Sequence, residues 1–199
     1  MIYLERIISH YKTKENYQEI VNKLKEIITE ETVIINIGTD KCIADLIGGL
    51  VGTILQENNF PLKVFGTIDE PIHALNVQKR YASIKELYPN NPILCIDACL
   101  GDKKDIGSII LKNAPLHPGK GVGKKLGEIG DWSIIGITDD SQSNEIFINR
   151  GVRLSLVYGI SKTIAEMLFE ATKDLHMRYE RKKKFSIRLF NNKLLKLIS

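Results

Sequence analysis

A chain of 199 residues, 43% hydrophobic and 26% charged, is large enough to bury a core as one globular domain and excludes a low-complexity or disordered chain. The net charge of +4 is uneven: residues 171–199 hold nine Lys or Arg against Asp174 and Glu180, a local +7 that leaves the rest at −3. Overall basicity therefore belongs to the tail, and charge gives no ground for expecting a nucleic-acid partner.

The opening "MIYLERIISHYKTKENYQ" scatters charge through its length and lacks the apolar stretch and small-residue cleavage site of a secretory signal; its apolar residues suit an amphipathic helix. Ile20, Leu24, Ile27 and Ile28 continue at helical spacing to near Thr29. "TVIINI", Thr32 to Ile37, is a β-branched run of the kind buried on both faces of a parallel sheet. Ile43 to Gln56 reads as a helix whose Gly48, Gly49 and Gly52 permit close packing on the sheet rather than favour helix. A strand at "LKVFGT", a helix from about Ile72 to Leu87 and a buried strand "PILCIDA" complete a β-α-β-α-β alternation, the pattern of a covered parallel sheet. "DIGSIIL" and "DWSIIGIT" predict two more strands around the Pro- and Gly-rich loop "NAPLHPGKGVGKKLGEIG". Helical spacing then runs from Asn144 to about Thr172, with an interruption at Gly151.

The longest uncharged apolar run, Leu46 to Leu55, is far below the roughly 20 residues of a membrane span, so a cytoplasmic chain without a membrane span is expected. Cys42, Cys95 and Cys99 form a sparse, odd set that argues against a disulfide framework and fits a reducing compartment. The domain is read as residues 1–172, followed by a basic C-terminal extension over 173–199. In the latter, Arg178 to Ser199 interleaves basic and apolar residues, and these apolar residues are expected to pack on the domain or on a second subunit.

Ligands of open α/β sheets gather at the carboxyl ends of the strands, where Asp45 and Asp97 both fall. Asp45 has a structural alternative as a helix N-terminal carboxylate. Asp97 closes an apolar strand, where a carboxylate is costly unless paired or solvated in a cleft. Two carboxylates in one site split their pKa values and share a proton, which suits activation of water. Asp40, Thr39 and His73 are candidates for binding substrate or supporting the pair. His73, a lone histidine, has an equally available structural role. His117 would be a third donor if Asp45 and Asp97 held zinc or nickel, but its spacing is no metal signature. "GKGVGKKLG" fails as a phosphate loop, since Pro118 stands where Gly is needed and Lys125 where Ser or Thr is needed. Cys42 near a helix start is the candidate for a thiol mechanism; Cys95 on a buried strand reads as filler.

"IGTDKCIADLIGGLVG", "VFGTIDEPIHALN", "ILCIDACLG", "IILKNAPLHPGKGVGKKLGEIGDWSIIGI" and "RLSLVYGISKTIAE", in this order, resemble the YyaC family of sporulation proteins. That family is similar to the germination protease GPR and, remotely, to hydrogenase maturation endopeptidases. The resemblance implies a phosphorylase/hydrolase-like α/β fold, a three-layer sandwich around a mostly parallel sheet. It also implies a catalytic pair, with "ADLIGG" supplying Asp45 and "DA" supplying Asp97. The maturation endopeptidases add a histidine to two such carboxylates to hold nickel, and no histidine of this chain aligns with it. The family's "GTDRSTGDSLGP" here reads "GTDKCIADLIGG", replacing Arg by Lys41 and Pro by Gly49 while keeping both aspartates.

The expected function is a sporulation-associated endopeptidase with an aspartate dyad, needing no cofactor, acting on a protein or peptide substrate and open to homo-oligomer formation. The alternatives are a non-catalytic binding or assembly protein on the same fold, and a hydrolase dependent on a divalent metal.

Overall fold

A computed structural model of the chain describes residues 6–118, 127–141, 151–175 and 177. Six strands form one sheet: β1 (Arg6–His10), β2 (Val33–Asn36), β3 (Lys63–Phe65), β4 (Ile93–Gly101), β5 (Ser108–Lys112) and β6 (Trp132–Asp140). Their order across the sheet is β1-β5-β6-β4-β2-β3. The four strands from β6 to β3 are parallel, while β5 runs antiparallel to β6 and β1 antiparallel to β5. The described helices are α1 (Tyr17–Ile27), α2 (Ile47–Glu57), α3 (Val77–Leu87) and α4 (Leu154–Ala171).

The fold is α/β in three layers. Alternate residues of each strand serve opposite cores, because side chains along a strand have a period of two. Ile34, Leu94, Ile96 and Ile134 meet buried faces of α1, α2 and α4, whereas Val33, Ile35, Ile93 and Ile135 meet Val77 and Ile84 of α3. Each such side chain taken from water contributes about 1.5–3 kcal/mol. Leu116 and Ile129 join the second core through a two-residue ladder, with N–H···O distances of 2.9 and 3.0 Å, which ties down both ends of the predicted Pro- and Gly-rich loop. No described helix is long and apolar enough to cross a membrane.

The N-terminal amphipathic helix is corrected to strand β1. In "RIISH" Ile7 and Ser9 are buried while Arg6 and Ile8 are exposed, a period-two alternation that the sheet rewards and a helix would not. The helix expected from Ile72 starts instead at Val77. The main-chain N–H of His73 donates to Asn76 Oδ1 (2.9 Å) and the Asn76 side-chain amide to the Pro71 carbonyl (3.0 Å), so a turn consumes the residues between. The strand "LKVFGT" shrinks to β3 because Gly66 takes φ +82° and turns the chain away. The final helix begins at Leu154; the expected stretch from Asn144 to Arg150 and the basic segment from Arg178 lie outside the described residues.

Helix α2 lies so close to the sheet that a side chain at Gly48 would strike the main chain of Ile37. Gly48→Ala should therefore cost about 1–3 kcal/mol through overpacking, lowering the melting temperature by about 2–4 °C per kcal/mol. Gly151→Ala, which meets nothing within 4 Å, should melt like the native chain. Thermal denaturation of the two variants side by side checks both.

Candidate active site

The parallel strands bring their carboxyl ends to one rim, and the candidate residues depend on how the chain leaves that rim. The Ile37 N–H donates to the Ile96 carbonyl (2.7 Å), carrying the β2 to β4 pairing one step further. At Gly38 the chain turns off with φ +152°, a conformation natural to glycine; a Cβ there would fall on the Asp45 carbonyl. The Thr39 N–H donates to the Asp45 carbonyl (3.0 Å) and the Asp45 N–H to the Cys42 carbonyl (3.0 Å). A closed loop results, ending in a 3₁₀ turn over Ile43–Asp45 that touches both β4 and β6. Asp45 thus sits just before α2 rather than within it, and no side-chain hydrogen bond caps the helix at Leu46. The Asp45 carboxyl nevertheless stays beside the N-terminus of α2, where the helix dipole favours negative charge.

Asp97 lies within β4, on the face shared with Cys95. Its Oδ1 accepts the Ala98 N–H at 2.8 Å. Both aspartates are half-buried. Burial pushes the Asp45 carboxyl up to about 6. Burial also holds the Asp97 carboxyl well above the usual carboxylate range, and the negative charge of Asp45 raises it further; the Ala98 hydrogen bond opposes this and is outweighed. The charge of Asp45 is thus felt at Asp97, and a proton on Asp97 relieves both its own desolvation and that repulsion. Chemically, such a pair can take a proton from water with one carboxylate and deliver one to a leaving group with the other.

Around the pair, the Thr39 hydroxyl approaches Asp40 Oδ1 (3.5 Å) and accepts the Lys41 N–H (3.3 Å), with the Asp40 side chain exposed on the rim. His73 comes to the same end of the sheet, because the Gly38 N–H donates to the carbonyl of neighbouring Ile72 (2.8 Å). Its Nδ1 accepts the Leu75 N–H (3.2 Å), so that nitrogen organises the turn into α3. His117 instead pairs with Glu128 at 3.4 Å, both exposed, where its loop's two flanks are bridged. Among the described residues no group of three or more His, Cys, Asp or Glu side chains is placed to hold a metal ion. Cys95 is pushed far up by burial and then by the charges of Asp97 and Asp131, so it stays a thiol and serves as core. Two contributors had no sequence signal, the Ala98 N–H and the Ile72 carbonyl, since any residue supplies a main-chain group.

A family model described as "Protein of unknown function (DUF1256)" matches residues 8–167. The "Uncharacterized protein YyaC" of Bacillus subtilis (strain 168) is 36% identical over 148 residues, 74% of this chain and 72% of that protein. Among solved structures, the NiFe hydrogenase maturation protease HycI from Thermococcus kodakarensis KOD1 aligns with 73% of this chain and 98% of its own, at 19% identity and a TM-score of 0.44; a likeness of that size says nothing about chemistry.

Both carboxyls titrate higher in the folded chain than in the unfolded one, where about 3.9 is usual. The folded state then holds protons that the unfolded state has released, so their stabilising contribution is greatest in acid. It is lost as pH rises from about 4 through about 6 for Asp45, and further above that for Asp97. Asp97→Asn should flatten this decline above about pH 4 relative to the native chain. Thermal melts at stepped pH measure it, and identical slopes would show that Asp97 titrates alike in the folded and unfolded chain.

Proposed function

The chain belongs to the DUF1256 family, and we propose that it is an endopeptidase of spore formation in which Asp45 and Asp97 act as an aspartate dyad. What supports this reading is that the 3₁₀ turn ending in Asp45 packs against β4, the strand that carries Asp97, where burial raises both carboxyls and the charge of Asp45 raises Asp97 further. A carboxyl that stays protonated near neutral pH can donate, and one that is ionised can accept; one such pair supplies both halves of a hydrolysis.

In this mechanism the ionised member of the pair takes a proton from water, and the resulting hydroxide attacks the peptide carbonyl. The protonated member donates to the departing amine, which leaves the pair with one proton again. The Ala98 N–H bond to Asp97 Oδ1 holds that carboxyl in one orientation throughout. Asp40 and Thr39 line the rim on the side of Asp45, and His73 supports the opposite loop. The dyad needs no cofactor. The peptide substrate and the spore setting rest on the resemblance to the germination protease and to the YyaC family, which supplies both aspartates in matching blocks.

Asp45→Asn and Asp97→Asn should each lower the rate by about 10²–10⁴-fold, the usual range for loss of a general acid or base, with the circular dichroism of the native fold retained. Mass spectrometry of a peptide mixture incubated with each protein reads the cleavage. The native chain should give a bell-shaped pH profile that either substitution converts to a single limb. Undiminished cleavage in either variant rules out the dyad.

A further inference from the structure

Among the described residues the sheet ends at β3 with no further strand on its outer edge, and a cleft of about 250 Å³ follows that edge. Gln56, in the last turn of α2, walls it from one face of the sheet and Arg80 of α3 from the other; Val64 and Phe65 of β3 lie between. Neither Asp45 nor Asp97 lines it. At its floor the Gln56 side-chain amide donates to the main-chain carbonyl of Val64 (3.1 Å). In a sheet the N–H of an adjacent strand would occupy that acceptor. The N–H and C=O of one strand residue point to the same side, so the Val64 N–H faces the cleft as well. At the far end the half-buried Arg80 pairs with the exposed Glu70 at 3.6 Å, and Asp69 adds a further exposed carboxylate.

We propose that this cleft binds an extended stretch of the polypeptide substrate as an added strand on β3, with Gln56 as a displaceable cover on the Val64 carbonyl. The proposal rests on the peptidase reading above. Main-chain donors and acceptors along an edge recognise another main chain irrespective of its sequence. Gln56 and Arg80 flank the edge from the two faces, and the Asp69 carboxylate, beside the Glu70–Arg80 pair, favours a segment with a basic side chain. A second copy of this chain suits the edge poorly: β3 spans only Lys63–Phe65, and so short a pairing falls far below the roughly 1,200 Å² of a stable interface.

The reach is consistent with the dyad. Strands are about 4.8 Å apart, so an added strand lies three spacings, about 14 Å, from β4, which an extended chain at about 3.4 Å per residue crosses in about four residues. Strand addition therefore grips the substrate at least about four residues from the bond at Asp97, and lends remote binding energy to the reaction.

The test uses a short fluorescent peptide of alternating Thr, Val and Lys, followed by anisotropy with the full chain carrying Asp97→Asn to prevent cleavage. Binding is expected, with loss of affinity of about tenfold or more when alternate peptide nitrogens are methylated. Adding Gln56→Ala should tighten binding several-fold by uncovering the Val64 carbonyl, and adding Val64→Pro should weaken it. No binding, equal binding of the methylated peptide, or indifference to Gln56→Ala overturns the proposal. So does a concentration-dependent dimer that Val64→Pro abolishes while peptide binding is unchanged, since the second copy would then be the occupant. The methylated peptide decides the matter even if the proline variant fails to fold. The two readings fail separately: cleavage persisting in Asp97→Asn defeats the dyad, whereas anisotropy in the same protein judges the strand.

Discussion

The near-contact of α2 with the end of β2 is the constraint from which the rest of the site follows. The helix rests on the Ile37 main chain because Gly48 has no side chain there, and Gly38 leaves the sheet in a conformation that clears the Asp45 carbonyl. With those two points pinned, the residues between them have one short path. That path closes on itself through the Thr39 and Asp45 main-chain bonds and leaves a carboxyl at the strand ends. Bulk at either glycine would lift the helix and take Asp45 with it.

The same close packing sets the electrostatics. A loosely seated helix would admit more water and let both aspartates ionise more readily; tight seating limits that water and lets the charge of Asp45 be felt at Asp97. Fold stability and acidity are thus opposed at this rim, because the burial that strengthens the hydrophobic layers makes ionising the carboxyls more costly. Proteins commonly tolerate such local cost where a group must keep an unusual proton affinity.

Much of the architecture is written in local pattern. "TVIINI" and "PILCIDA" are apolar on both faces, as central parallel strands must be; they locate β2 to within a residue at each end and the start of β4 to within one, while β4 runs three residues further, to Gly101. Asp45 falls just beyond the carboxyl end of β2, as strand direction leads one to expect, whereas Asp97, expected to close its strand, lies within β4, because pairing with β6 carries that strand on to Gly101; whether the two act as a catalytic pair is a matter of chemistry that no pattern encodes. The N-terminal segment misled because Ile7 and Ile8 satisfy helical and extended spacing alike over so few residues; the deciding partner, β5, lies elsewhere in the chain. The start of α3 was missed by several residues because a turn built on His73 and Asn76 has no hydrophobic period. The cleft beside β3 was invisible for a related reason: it is a property of which strand ends the sheet, and that order is set by tertiary packing.

The pairing of β1 with β5 has a consequence for how the molecule is made. Arg6 faces Lys112 and His10 faces Ser108, so a strand synthesised early must wait for roughly a hundred further residues before its neighbour exists. β5 in turn needs β6, which docks on β4. During synthesis the parallel half, β2 with β3 and β4, has its strands and crossover helices in hand first, while β1 remains an unclaimed ribbon. Such long-range closure slows assembly and leaves an unpaired edge open to other nascent chains in the meantime. An early segment thus returns to the far margin of the sheet only after β5 has been made.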